Sequence, residues 1–196
     1  MILGAILTQS TSWTNADQAL NNLRRFGVLD LHRIGELPAD ILASLLRPSG
    51  YFNQKAFKVK AFVDHLRNHY NHDLRSFLTK EPNELRTELL SIYGIGEETA
   101  DNILLYAAGE PFFVIDAYTK RILRRIGIQP QNDSYGGWQS LFHNSLIRDA
   151  GTYNEYHALL VAHGKETCQR TPKCKDCCIL DLCTFGSDNI FFHLNV

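Results

Sequence analysis

The stretch LLSIYGIGEETADNILLYAAGEPFFVID, which spans Leu89–Asp116, decides the fold and directs the search for a functional site. Its YGIG tetrapeptide separates two segments with apolar residues at helical spacing, and the second segment includes Ile103 and Leu104. Because Gly94 and Gly96 permit positive φ angles and close backbone approach, the pattern predicts two helices joined by a tight hairpin turn. The N–H groups at the start of the second helix can bind an anion such as a phosphate.

Acidic residues occupy two positions of interest in this stretch. The pair Glu97 and Glu98 opens the second predicted helix, where negative charge complements the helix dipole. Asp116 directly precedes AYTKRILRRIG, a helical run that ends at Gly127, so it can be a simple N-cap. A carboxylate after a Gly/Pro-containing loop can also take part in chemistry, and the local pattern leaves both roles open.

The rest of the chain has a helical pattern almost throughout. Phe52, Ala56, Val59 and Phe62 recur at helical spacing, for example, and breaks rich in Gly, Pro, Asn and Asp separate roughly nine or ten short helices. The one run with strand character, FFVI, is too short and too isolated to build a sheet. The segment after Cys183 fits no helical pattern. We therefore predict an all-α fold.

Length and composition limit the class of protein. The 196 residues, 44% hydrophobic and 21% charged, are typical of a soluble globular chain with one large or two small domains. No apolar run approaches the ~18 residues of a membrane span, and no signal peptide is recognisable, so we expect a cytoplasmic protein. A formal net charge of −1 neither indicates nor excludes a nucleic-acid partner.

All five cysteines lie between Cys168 and Cys183, which favours a metal or cluster site over a secreted disulfide framework. With Cys177 as the third ligand the spacing is C-x5-C-x2-C-x5-C. With Cys178 as the third ligand it would be C-x5-C-x3-C-x4-C. Sulfur-only ligation suits a [4Fe-4S] cluster or tetrahedral zinc. Zinc ribbons usually have two C-x2-C pairs, and only one is present here, so an iron–sulfur cluster is favoured. The predicted ligands are Cys168, Cys174, Cys177 and Cys183.

Basic residues surround the second predicted ligand. Arg170, Lys173 and Lys175 form a compact cationic loop in the sequence. Such a loop can lie against a phosphate backbone, or it can be an ordinary solvated loop.

Four features in order, LLSIYGIGEETA, the loop ending in VID, VAHGKETC and the cysteine run, resemble the helix-hairpin-helix DNA glycosylases of the endonuclease III superfamily. The resemblance covers nearly the whole chain. It implies two helical lobes beside a DNA-binding groove: a six-helix barrel at 1–110 with the hairpin at 89–101, and an iron–sulfur lobe at 111–196 with the cysteine motif at 168–183. It also implies a preceding first helix that this sequence does not contain.

The same resemblance implies a partner and roles for individual residues. The partner would be double-stranded DNA with a damaged base, bound by a monomer associated with a prokaryotic nucleoid. Asp116 would stabilise the positive charge that develops on the sugar and would orient or deprotonate the attacking water. The implied DNA and base-pocket residues are Gln9, Trp13, Tyr93, Gly94, Gly96, Glu98, Lys173 and Lys175.

The sequence departs from the family pattern at two points. Bifunctional members carry a lysine nucleophile two residues after the second hairpin glycine, where this chain has Glu98. A carboxylate cannot form the Schiff base needed for strand cleavage, so we expect a monofunctional enzyme. The spacing after Cys168 is one residue shorter than usual, which predicts a tighter loop.

The substrate prediction rests on Trp13, which follows ILTQ, and on Glu98, which lies within YGIGEETAD. With these residues the two segments look most like the 3-methyladenine glycosylase branch of the superfamily. An alkylated purine is cationic, and an aromatic face attracts it by about 0.5–2 kcal/mol while a carboxylate adds Coulombic preference. Trp13 can instead be a core residue. The alternatives are a mismatch or oxidised-base glycosylase of the same superfamily, and a non-catalytic DNA-structure-binding iron–sulfur protein.

Overall fold

A computed structural model describes residues 1–188 of the chain. No strand occurs within these residues, so the all-α prediction is confirmed. Three short 3-10 segments and a π-helical turn at Leu104–Ala108 accompany the α-helices. Within the described part of the chain, no helix is both long and apolar enough to cross a membrane. The α-helices are α1 (Ile2–Leu7), α2 (Trp13–Arg25), α3 (Leu31–Glu36), α4 (Ala39–Leu45), α5 (Phe52–Tyr70), α6 (Leu74–Leu78), α7 (Pro82–Ser91), α8 (Glu97–Ile103), α9 (Ala117–Ile126), α10 (Tyr135–Ser145) and α11 (Ala150–Glu166).

The first of two compact units, Met1–Glu110, contains α1 to α8. Its central helix is α5, which packs against α1, α3, α4 and α6. Val59, Phe62 and Leu66 are buried along one face of α5, as the helical spacing predicts. Complete burial of a side chain of this kind contributes about 1.5–3 kcal/mol.

The second unit, Pro111–Val196, contains α9, α10 and α11, and its principal helix contact joins α9 to α11. Trp138 on α10 and Tyr153 on α11 are fully buried. Phe113 stacks on Phe142 with ring centroids 3.6 Å apart. These aromatic contacts fix the chain that leads into α9.

The helix pattern differs from the sequence prediction in two details. Eleven α-helices end before Cys168, rather than nine or ten, because α3, α4 and α6 are each only five to seven residues long. Residues 184–188 form a helical turn where we expected no helix. The turn packs through Phe185, which lies 4.8 Å beneath the Arg125 guanidinium. The rest of that tail, 189–196, lies outside the described residues.

Candidate active site and cysteine cavity

The structure contains the predicted hairpin, formed by α7, the YGIG turn and α8. Gly94 has a φ of +84°, a backbone conformation that residues with a side chain rarely adopt. Gly96 has an extended backbone and is the N-cap of α8. Ile92 and Ile95 are buried and anchor the turn, whereas the Tyr93 side chain is 67% exposed. The turn therefore presents its backbone and one aromatic ring at the surface of its unit.

A buried ion pair holds the two hairpin helices together. The Arg86 guanidinium on α7 donates two hydrogen bonds to the Asp101 carboxylate on α8, with Nε–Oδ1 at 2.7 Å and Nη2–Oδ2 at 3.2 Å. The Asp101 side chain is fully buried, and such a bidentate pair is geometrically specific. The same guanidinium lies 3.8 Å from Glu97, which offsets one of the two acidic charges beside the turn.

Gln9 connects the loop after α1 to this turn. Its amide Nε2 donates to the Gly94 carbonyl and to Thr99 Oγ1, both at 2.9 Å. Its Oε1 accepts a hydrogen bond of 2.5 Å from the Lys58 ammonium on α5. The Lys58 stem also covers Gly94, since a Cβ there would lie only 2.2 Å from Lys58 Cγ. Gln9 and Lys58 thus brace the hairpin, and Lys58 places positive charge beside it.

A second lysine of α5 fixes the end of α1. The Lys55 side chain is buried, and its ammonium donates to the carbonyls of Leu7 at 2.9 Å and Ser49 at 2.6 Å. Burial, with a smaller contribution from Lys58, lowers the pKa of Lys55 to about 8. Since its hydrogen-bond donors point to backbone carbonyls, Lys55 is a structural residue that positions the loop carrying Gln9.

Trp13 and Glu98 also belong to the first unit. Trp13 opens α2, and its ring packs on Gly4 of α1, where an added Cβ would approach the ring to 3.0 Å. The Trp13 side chain is 46% exposed, so it is not a core residue. Glu98 is exposed in the first turn of α8.

Asp116 caps α9 and also contacts a histidine of α11. One carboxylate oxygen, Oδ1, accepts the Thr119 backbone N–H at 2.7 Å. The other, Oδ2, lies 3.5 Å from His157 Nε2, and both side chains are largely buried. Burial by itself raises the pKa of Asp116, but His157 and the Thr119 N–H together hold that pKa below its ordinary value. Asp116 is therefore an ionised carboxylate in a sheltered position.

The FFVI segment before Asp116 is held by side chains instead of a neighbouring strand. The Phe113 N–H donates to His143 Nε2 at 3.1 Å, and the Phe113 carbonyl accepts from Gln139 Nε2 at 2.8 Å. The Ile115 N–H donates to the Tyr135 hydroxyl at 3.2 Å. These three polar residues recur every four positions along one face of α10. Their hydrogen bonds satisfy the buried backbone and fix the direction in which Asp116 enters α9.

Four of the five cysteines line one cavity, and Cys178 is exposed and does not line it. Arg125 of α9 donates to Cys168 Sγ at 3.1 Å, and the Gly186 N–H donates to Cys183 Sγ at 3.3 Å. Arg125 also holds the carbonyls of Gln169 and Arg170, so it pins the cationic loop. Other lining residues are mostly apolar and include Ile122, Ile126, Ile179 and Leu180. The four lining cysteines are Cys168, Cys174, Cys177 and Cys183.

The donor set of this cavity fits an iron–sulfur cluster. In residues 1–188 no three histidine, cysteine or acidic side chains converge closely enough to bind a single metal ion. A [4Fe-4S] cluster takes one thiolate per iron and occupies the space between the sulfurs, and N–H donors to sulfur are usual around such clusters. Burial raises the pKa of the Cys177 thiol. Lys173 lines the cavity and is exposed, and Lys175 is exposed just after Cys174.

Comparison with known proteins identifies the family. Residues 3–146 match the HhH-GPD superfamily of base excision DNA repair proteins, which is well over half of the chain. The chain belongs to this superfamily. It is therefore a DNA glycosylase of base excision repair, and the resemblance found in the sequence is confirmed.

Relatives of known sequence cover almost the full chain. A provisionally named DNA repair glycosylase of Methanocaldococcus jannaschii is 41% identical over 184 residues, 93% of this chain and 84% of the relative. Endonuclease III of Sulfolobus acidocaldarius is 30% identical over 191 residues, 96% of this chain and 82% of the relative.

Solved structures extend the likeness to the fold. The crystal structure of H. pylori 3-methyladenine DNA glycosylase bound to 1,N6-ethenoadenine is 28% identical, has a TM-score of 0.74, and covers 84% of this chain and 83% of its own. A non-covalent endonuclease III–DNA complex has a TM-score of 0.82 at 20% identity over 97% of this chain and 84% of its own. At that identity the second likeness concerns the fold alone.

The structure of this HhH-GPD protein groups the predicted site residues into two sets. In the first unit, Gln9 is hydrogen-bonded to the turn that holds Tyr93, Gly94 and Gly96, and Glu98 follows in α8. In the second unit, Lys173 lines the cysteine cavity with Lys175 exposed nearby in the chain, and Asp116 caps the helix that lines the cavity.

Sequence reasoning missed Lys58, Arg86 and His157. Lys58 and His157 contact residues far away in the chain, Arg86 pairs with a residue 15 positions on, and none of the three belongs to a recognised motif. One signal was present for Lys55, which shares the spacing of the buried face of α5 and so interrupts an apolar stripe with a cation. A cation within a buried apolar stripe predicts a buried lysine whose ammonium is hydrogen-bonded to nearby polar groups.

Proposed function

We propose that this glycosylase is monofunctional and hydrolyses the N-glycosidic bond of a flipped alkylated purine, such as 3-methyladenine. The observation that carries the proposal is the sheltered Asp116 carboxylate, kept ionised by His157 and the α9 N-terminus. Glu98 at the position of the lyase nucleophile and the 28% identity to a 3-methyladenine DNA glycosylase provide further support.

Asp116 has the properties that the hydrolytic step requires. Departure of the base leaves positive charge on the sugar, and a fixed carboxylate stabilises that charge more in the transition state than in the substrate. The carboxylate can also orient or deprotonate the attacking water. Because the N-cap hydrogen bond uses Oδ1, the cap and the catalytic role are compatible.

The preference for alkylated purines rests on Trp13 and Glu98. Both side chains are accessible in the first unit, one as an aromatic face and the other as a carboxylate. A cationic base gains attraction from both groups, whereas a neutral base gains little from the carboxylate. A cationic base is also a good leaving group, so the site needs little general-acid catalysis.

Double-stranded DNA is the proposed partner of a monomeric protein. The hairpin turn offers backbone N–H groups to one phosphate without reading sequence. Lys58 compensates the acidic residues beside that turn, and Lys173 and Lys175 offer a second contact to the backbone. Gln9 lies at the hairpin and is the proposed neighbour of the flipped nucleotide.

The cofactor that we propose is a [4Fe-4S] cluster held by the four cysteines of the cavity. The bound cluster would cross-link the loop at 168–183 and so order its cationic residues against DNA. Arg125 would neutralise part of the thiolate charge through its contact with Cys168. The proposed ligands are Cys168, Cys174, Cys177 and Cys183.

A lesion panel tests this function. Duplexes that carry 3-methyladenine, 7-methylguanine, 1,N6-ethenoadenine, uracil, mismatched adenine or thymine, or an oxidised pyrimidine are incubated with the protein and scored for base release. We expect release of the alkylated purines, with strands unbroken until alkali is added and no borohydride-trapped adduct. Excision of a neutral mismatched or oxidised base, without 3-methyladenine release, would favour the alternative glycosylase function.

Two variants test the base pocket within the same assay. Trp13→Ala and Glu98→Gln should each slow excision of cationic bases more than any activity on neutral bases, by about 5- to 30-fold for a lost contact of 1–2 kcal/mol. Leu159→Ala, at an exposed residue of α11, is the matched control and should leave both activities unchanged. An equal loss on cationic and neutral bases would contradict the proposed pocket.

A further inference from the structure

The contact between Asp116 and His157 has a geometry that simple helix capping does not require. The cap is complete with Oδ1 and the Thr119 N–H, which leaves Oδ2 to point at the imidazole 3.5 Å away. The exposed fractions of the two side chains are only 13% for Asp116 and 10% for His157. Weak screening in such a sheltered place makes an electrostatic interaction between these two side chains stronger than the same interaction at the surface.

The histidine is itself held in place by packing. His157 lies on α11, the helix that packs most extensively against α9. Its ring meets Phe113 edge-on at 6.5 Å, and Phe113 is locked by Phe142 and by the polar face of α10. The imidazole is thus fixed relative to the carboxylate.

We propose that His157 is a positioning residue for base excision, whose imidazole holds the Asp116 carboxylate in its ionised form and directs Oδ2. The inference rests on the proposed function of Asp116. It extends that function by assigning to α11 a residue that no sequence motif identifies. Removal of His157 leaves a buried carboxylate with its cap but without the neighbouring imidazole, and burial then favours the protonated acid.

Other ionisable groups lie on the helices that carry and adjoin the pair. On α11, Tyr153 lies one turn before His157, and its pKa is raised by burial and partly offset by Arg148. On α10, the His143 ring stacks on Tyr153 with centroids 5.5 Å apart. On α9, Tyr118 packs on Gly164 of α11, and Lys120 is partly exposed. The contributions to the lowered pKa of Asp116 come from His157 and Thr119.

The test compares wild type with His157→Gln, and uses His143→Gln as the matched control. His143 is a histidine of the same unit that packs on Tyr153 and accepts the Phe113 N–H, so its loss reports structural damage near the site while the imidazole beside Asp116 is kept. Single-turnover release of 3-methyladenine from [3H]methylated duplex DNA is measured as a function of pH. The pKa of the Asp116 carboxyl is followed in parallel by 13C NMR without DNA.

In His157→Gln, the midpoint of the acid limb of the pH–rate profile and the carboxyl pKa of Asp116 should both move to higher pH. An interaction near 1.4 kcal/mol corresponds to a move of about one pH unit. His143→Gln should lower stability or rate without moving either midpoint. Unchanged midpoints in His157→Gln would overturn the inference, because a merely structural histidine would not set them. If the carboxyl midpoint moves while wild type releases no base, the pairing stands and the proposed function fails instead.

Discussion

Replacement of Gly94 by alanine tests how the hairpin is braced. Gly94 has a φ of +84°, and a residue with a Cβ in the left-handed region costs about 1–2 kcal/mol. The new Cβ would also lie 2.2 Å from Cγ and 2.6 Å from Cδ of Lys58. Lys58 must then move away and release Gln9, and loss of a hydrogen bond to a charged group costs about 1.5–3 kcal/mol. We therefore expect Gly94→Ala to destabilise the protein by about 2.5–5 kcal/mol.

Gly109→Ala is the matched control for backbone strain. Gly109 has a similar φ of +76°, and nothing lies within 4 Å of an added Cβ. This variant should lose only about 1–2 kcal/mol, since strain is its sole cost. Urea unfolding followed by circular dichroism measures both variants.

A double-mutant cycle isolates the contact with Lys58. In a Lys58→Ala background Cγ and Cδ are absent and only the Lys58 Cβ remains, 3.0 Å from the added Cβ, so Gly94→Ala should cost much less than in wild type and approach the cost of Gly109→Ala. Equal losses for Gly94→Ala and Gly109→Ala in wild type, or full additivity of Lys58→Ala and Gly94→Ala, would refute the bracing role of Lys58.

Three further predictions follow from buried charges and the cysteine cavity. Lys55→Met leaves the Leu7 and Ser49 carbonyls without a donor and should cost about 2–4 kcal/mol in urea unfolding; a neutral result would contradict the structural role. Burial opposes ionisation of Glu88, but Lys80, His65 and Tyr70 lower its pKa to about 2. Glu88→Gln should therefore destabilise the protein fully above pH ~4.5, and this destabilisation should disappear as the pH falls towards 2. Unfolding measured as a function of pH checks both limits. Anaerobically purified protein should be yellow-brown with about four irons per chain, and Cys174→Ser should lose the colour and soluble expression, whereas stoichiometric zinc would exclude the cluster.

The sequence predicted the features that depend on local chain chemistry. The hairpin turn, the cap at Asp116 and the apolar face of α5 follow from glycine, capping and periodicity, which act over a few residues. The hairpin and the VID segment also carried the family resemblance, and the family match over residues 3–146 confirmed the superfamily.

Contacts between distant residues could not be predicted in this way. Gln9 reaches Gly94 across 85 positions, and Asp116 meets His157 across 41, so neither contact has a local signature. The short α3, α4 and α6 were hard to count because helices of one or two turns gain their stability from tertiary packing instead of propensity.

The central claim is that the Asp116 carboxylate drives hydrolysis of an alkylated base, and Asp116→Asn tests it most directly. Asparagine caps a helix as well as aspartate does, so the variant removes charge while keeping α9 intact. Single-turnover release of 3-methyladenine is measured beside binding to abasic-site duplex DNA. We expect release to fall by about 100-fold or more, the loss typical of a stabilising charge, while binding stays within a few-fold of wild type. Near-wild-type release by Asp116→Asn would contradict the account and leave Asp116 as a helix cap alone.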